Sequence, residues 1–137
     1  MTVIIGVDPH KASHTAVAMS RNEEELGRKT VRSGCAQAEQ LIAWTAPFAA
    51  RTWAIESAAG LGYLLAQQLV AAGEEVLDVP ATLASRVRVL ASRRSNKNDP
   101  NDALSVAALR SSGLRRVQPV GHSEVLRLLT KAQWRHR

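Results

Sequence analysis

Residues 3–7, Val3-Ile4-Ile5-Gly6-Val7, are continuously apolar and mostly β-branched, and the run stops at Asp8. A segment apolar at every position, rather than at alternate ones, fits a strand buried on both faces. Asp8 then stands where such a strand leaves the core, at the edge of the sheet or in a cleft. A charge placed there is costly unless a cation or several donors meet it. A turn-forming Asp ahead of Pro9 is the plainer alternative.

Downstream, His14 to Met19 and Gly27 to Arg32 can form the next two strands, with the polar run Ser20-Arg21-Asn22-Glu23-Glu24-Glu25 as a solvated hairpin turn. Residues 36–46 place Ala38, Leu41, Ile42 and Thr45 at helical spacing, closed by Pro47. Arg51 to Glu56 is a short strand. Leu61, Leu64, Leu65 and Leu69 follow at helical spacing as far as Gly73. Val76 to Val79 reads as another strand, and residues 81–92 as an amphipathic helix carrying Leu83, Ala84, Val87, Leu90 and Ala91. A further helix runs from about Pro100 to Arg110. After Pro119, Ser123 can cap a helix containing Val125, Leu126, Leu128, Leu129 and Ala132, and the chain stops at Trp134-Arg135-His136-Arg137. Three strands followed by alternating helix and strand predict an α/β fold, a mixed sheet with helices packed on it, as in ribonuclease H-like domains.

Three more acids join Asp8 as candidates. Glu56 repeats the pattern after Trp53-Ala54-Ile55, and the small residues Ser57-Ala58-Ala59-Gly60 leave space around it; a solvated strand-end Glu is the alternative. In Asn98-Asp99-Pro100-Asn101-Asp102, Asp99 suits an N-cap, Pro100 the first helical position, and Asp102 a capping-box acid. Capping accounts for that pair without function, but it leaves Asp8 and Glu56 unexplained. One carboxylate can both cap a helix and bind a metal, because it offers several lone pairs. Carboxylates gathered from distant segments suit divalent cations, which take oxygen ligands and can drive phosphodiester chemistry.

Charge points the same way. Lys and Arg number 18 against 12 Asp and Glu, for a net charge of +6. Arg is by far the commoner cation, which favours bidentate contacts with phosphate. The run Arg86, Arg88, Arg93, Arg94 and Lys97 contains no acid and leads directly into Asp99; with Lys11, just past Asp8, it supplies candidate nucleic-acid contacts. A solvated helix back is the ordinary reading of such a run. The single Cys35 excludes an internal disulfide and a cysteine-based zinc site, and is expected to be a small buried residue. His10, His14, His122 and His136 show no metal-ligand spacing and read as surface or turn residues. Trp44 and Trp53 read as core. No stretch approaches the ~18 apolar residues of a membrane span, and no export signal precedes the first strand, so the cytoplasm is the default.

The ordered acids resemble the N-terminal RuvC-like domain of the DEDD transposases of the IS-one-ten insertion-sequence family. The matching stretches are Ile5-Gly6-Val7-Asp8, Ala54-Ile55-Glu56-Ser57 and Lys97-Asn98-Asp99-Pro100-Asn101-Asp102-Ala103. Val76-Leu77-Asp78-Val79-Pro80 before a basic helix also looks like the family. Asn98 stands where the family usually has Thr or Ser, and the spacing after Glu56 is looser than usual. The resemblance implies catalysis by Asp8, Glu56, Asp99 and Asp102 around Mg²⁺ or Mn²⁺, in DNA strand cleavage and joining. It further implies DNA as partner, a structured guide RNA, and a homo-oligomeric full-length protein. Family members continue through a coiled coil into a domain bearing a nucleophilic Ser. The expected organisation here is therefore a catalytic domain over residues 1–117 and a truncated helical segment over 118–137. A stand-alone ribonuclease H-like nuclease or junction resolvase, and a non-catalytic nucleic-acid-binding remnant, remain as alternatives. An ATP-binding domain of the sugar-kinase and actin class is disfavoured, because Asp8-Pro9-His10-Lys11 lacks the glycine of a phosphate-cradling turn.

Overall fold

A computed structural model describes residues 2–86 and 103–120. Its strands are β1 (Val3–Pro9), β2 (Ser13–Met19), β3 (Glu25–Arg32), β4 (Arg51–Glu56), β5 (Val76–Val79) and β6 (Arg115–Arg116). The helices are α1 (Gln37–Trp44), α2 (Tyr63–Ala71), α3 (81–86) and α4 (Ala103–Arg110). The strands form one six-stranded sheet in the order β3-β2-β1-β4-β5-β6. β1 pairs antiparallel with β2 and parallel with β4, and β4 pairs parallel with β5. Short turns join β1 to β2 and β2 to β3, whereas the parallel partners need helical crossovers.

The continuous apolar run becomes a central strand covered on both sides, as its composition demands. Val3, Ile5 and Val7 face a core shared with Ala16, Ala18, Trp53, Ile55 and Val76, closed by Leu41 of α1 and by Leu65 and Leu69 of α2. Ile4 points the other way, into a second core with Ala54, Val79, Ala84 of α3, and Leu104, Ala107 and Ala108 of α4. Strand alternation fixes this division.

Gly6 lets α4 come close. A Cβ there would lie 2.4 Å from Ser105 Oγ and 2.8 Å from Ser105 N. The fully buried Ser105 hydroxyl accepts the Gly6 N–H at 3.1 Å and donates to the Val17 carbonyl at 3.1 Å, pinning α4 across β1 and β2. On the far side, the Glu74 carboxylate receives Arg51 Nε at 2.6 Å and Trp53 Nε1 at 2.7 Å, anchoring the start of β4 to the turn after α2. Burial pushes the Glu74 carboxyl up, but the hydrogen bonds from Arg51 and Trp53 outweigh it and hold the group below its ordinary range.

Several local expectations change. Cys35 is exposed, because it lies in the turn ahead of α1 rather than on the helix's packed face. Leu61 is 63% exposed, since residues 57–62 form turns and α2 starts only at Tyr63. Trp53 is fully buried but Trp44 is half-exposed, its ring edge-on to Phe48. β6 has no counterpart in the sequence reading; its two residues are arginines with no apolar pattern. The helices expected over 81–92 and 100–110 are helical over 81–86 and 103–110. Their remainders, and the helix expected after Ser123, lie outside the described residues.

Candidate metal and nucleic-acid site

Asp8 is one residue past the Val7–Ile55 pair of the β1–β4 ladder, and Glu56 is one residue past it on the other strand. Asp8 is the penultimate residue of β1 and Glu56 the last of β4, so the two acids lie at the same end of neighbouring parallel strands, which run ~4.8 Å apart. Alternation puts Asp8 on the face of Ile4 and Gly6, and Glu56 on the face of Ala54. That is one face, the one covered by α4. Both acids are partly buried. Immediately after Glu56 the chain turns sharply, with Ser57 at φ 52 and its N–H bonded to the Val79 carbonyl at 3.0 Å.

Asp8 is oriented by His10, whose Nε2 lies 3.2 Å from Asp8 Oδ2. His10 is exposed, as expected of a turn residue, yet it partners the acid; the Asp-X-His spacing was the available signal. His14 departs from expectation. It is 4% exposed, on the α1 face of β2 at the same end of the sheet. Its Nε2 donates to Gln37 Oε1 at 2.8 Å, an oxygen that also accepts the Gly34 N–H, so the proton is assigned to Nε2. Gln37 in turn donates to Gln68 Oε1 at 2.7 Å. His14 Nδ1 is buried with no hydrogen-bond partner among the described residues. Burial holds the imidazole below its ordinary pKa; the Gln37 bond and Asp8 oppose this, and His10 adds to it.

The remaining candidates divide simply. Lys11 occupies the β1–β2 turn, exposed and at the Asp8 end of the sheet, and Arg86 is exposed at the described end of α3. Asp99, Asp102, Arg88, Arg93, Arg94 and Lys97 lie outside the described residues, as do His122 and His136. No group of three potential metal ligands occurs among the described residues. The donors that are described still fit a hard divalent cation, being carboxylate oxygens on one face. Ser105, which sets how closely α4 approaches Asp8's strand, was missed; a serine within an apolar helical pattern carries no label of its buried role.

A central strand ending in one acid, beside a parallel strand ending in another, within a 3-2-1-4-5 sheet flanked by helices, defines a ribonuclease H-like domain. The fold is similar to that of T. thermophilus RuvC in complex with a Holliday junction substrate. That match has a TM-score of 0.61 and 14% identity, covering 85% of this chain and 100% of that one. It is also similar to a second Thermus thermophilus RuvC structure, with a TM-score of 0.54 and 16% identity, covering 78% and 92%. No curated protein matches the chain significantly in sequence. The chain belongs to the DEDD transposase family of the IS110 (IS-one-ten) type, described as Transposase, which it matches over residues 5–135. It is thus a DNA transposase domain of RuvC-like fold, and divalent-metal dependence goes with that family. No helix among the described residues is long and apolar enough to cross a membrane.

Proposed function

We propose that this chain carries the metal-binding nuclease centre of an insertion-sequence transposase, with Mg²⁺ (or Mn²⁺) held by Asp8 and Glu56. Asp99 and Asp102 are proposed to complete the ligand set. The observation that carries this reading is the placement of Asp8 and Glu56 at adjacent parallel strand ends on one face. Divalent ions at such a centre polarise the scissile phosphodiester and stabilise its attacking and leaving oxygens. The chain's own contribution is to fix two carboxylates on rigid strands, with His10 orienting Asp8. Lys11 and the cations from Arg86 to Lys97 are proposed to hold the DNA backbone. DNA is the substrate; a structured guide RNA and a second copy of the chain are proposed as further partners. Residues 1–117 are proposed as the catalytic unit, with 118–137 beginning a separate helical segment.

Thermal melts test the centre. Carboxylates brought together repel, so a cation that binds only the folded state raises the melting temperature. Mg²⁺ or Mn²⁺ should raise the Tm of the wild type, and Asp8→Asn or Glu56→Gln should abolish the rise. A rise that survives both substitutions would place the ion elsewhere. A second reading, a junction resolvase, draws on the full-length fold similarity to RuvC bound to a Holliday junction. Metal-dependent symmetrical cutting of a synthetic four-way junction, with no strand joining, would favour it.

A further inference from the structure

The face that carries Asp8 continues beyond β1. Register pairs Asp8 with Thr15 on β2 and Thr15 with Thr30 on β3, so the three form a row across the sheet. Ser13 pairs with Arg32 two residues further toward the same end, and alternation puts both on the same face. At the opposite end of this strip Val17 and Met19 are sealed, each 1% exposed. Here the surface is open: Thr30 and Arg32 are exposed, Ser13 and Thr15 half-buried. Exposed Lys11 sits in the adjoining turn, which is tied to the end of β3 by the Ser33 N–H to Ala12 carbonyl bond of 3.0 Å.

The cations on this strip differ from four arginines elsewhere in the fold. Arg28, Arg51, Arg110 and Arg116 are matched by Glu25, Glu74, Glu23 and Glu75. Lys11 and Arg32 form no ion pair among the described residues. Two unneutralised cations beside three hydroxyls make a surface for an anion with several oxygens, and it has no apolar side chain to dock a helix. Ser, Thr, Lys and Arg are the side chains that position phosphates without reading bases. From β1 to β3 the row spans two strand spacings, about 10 Å, enough to reach two neighbouring phosphates of one strand.

We propose that Lys11, Ser13, Thr15, Thr30 and Arg32 seat the phosphodiester backbone of the DNA strand that enters the centre at Asp8. This rests on the reading of Asp8 as part of that centre. The seat is independent of base sequence and lies on the open part of the sheet face that α4 covers further along β1 and β2.

The test is a salt titration of DNA binding by the full chain without divalent metal, using Lys11→Gln/Arg32→Gln. Two lost phosphate contacts should flatten the slope of log K against log salt by about 1.4–1.8, alike for unrelated sequences. Arg21→Gln/Lys29→Gln removes the same charge from the far turn and the opposite face of β3, and should leave the slope unchanged. Thr15→Val/Thr30→Val keeps shape and strand preference, and should weaken binding several-fold at an unchanged slope. The proposal is overturned by an unaltered slope in the Lys11/Arg32 variant, by an equal fall in the control, or by a wild type that does not bind DNA. A slope that falls for an RNA of the same sequence but not for DNA also overturns it. Because no metal is present, a failure here is separable from a failure of the Mg²⁺-dependent melting shift at Asp8.

Discussion

Replacing Gly6 by alanine probes the contact that brings α4 onto the sheet. The new Cβ would meet Ser105 Oγ at 2.4 Å and Ser105 N at 2.8 Å. The hydroxyl could rotate away, but the backbone nitrogen could not, so α4 must lift. Overpacking of this kind costs about 1–3 kcal/mol. If the Ser105 hydroxyl is displaced, its bonds to Gly6 and Val17 weaken as well, each worth roughly 1 kcal/mol. Alanine recovers about 0.5–1 kcal/mol over glycine within a strand. The net loss is about 3 kcal/mol, or on the order of 12 °C in Tm at ~4 °C per kcal/mol for a chain of this size. Urea unfolding of Gly6→Ala and of Gly6→Ala/Ser105→Ala measures it. The double variant should recover only part of the loss, because the contact with the backbone nitrogen remains. A loss below about 1 kcal/mol for Gly6→Ala would refute close α4 packing as the reason for this glycine.

Three further outcomes are expected. Glu74→Ala strands the Arg51 guanidinium and the Trp53 N–H, and should cost on the order of 3 kcal/mol by chemical denaturation; a near-neutral change would mean the pair is solvated in solution. His14 has a folded pKa below its ordinary 6.5, so its contribution to stability is complete above that pH and is lost as pH falls through the lower folded value. Melts from pH 7.5 to 5 should show this fall, and His14→Gln should flatten it; an unchanged profile would assign the effect to another group. Arg93→Gln/Arg94→Gln should weaken binding to unrelated DNA sequences alike and reduce the salt slope by about one unit per lost phosphate contact; an unchanged slope would move those contacts elsewhere.

Period and composition were enough to read the main elements. An uninterrupted, mostly β-branched apolar run fitted a central strand, and polar turns, Pro47 and Gly73 bounded the elements around it. The short motifs around each acid that carry the family resemblance were readable too, since each motif is local. Other features depended on partners distant in the chain. Cys35 and Leu61 missed the core because their turns, not their helices, determine where they point. His14 is buried because α1 folds over β2, and Ser105 is buried because α4 crosses β1. β6 exists only because Arg115 and Arg116 find the open edge of β5. The chain alone determined that Asp8 and Glu56 each end a strand. Only the tertiary structure made those strands parallel neighbours with both acids on one face, because strand pairing joins residues far apart in sequence, where local periodicity carries no information.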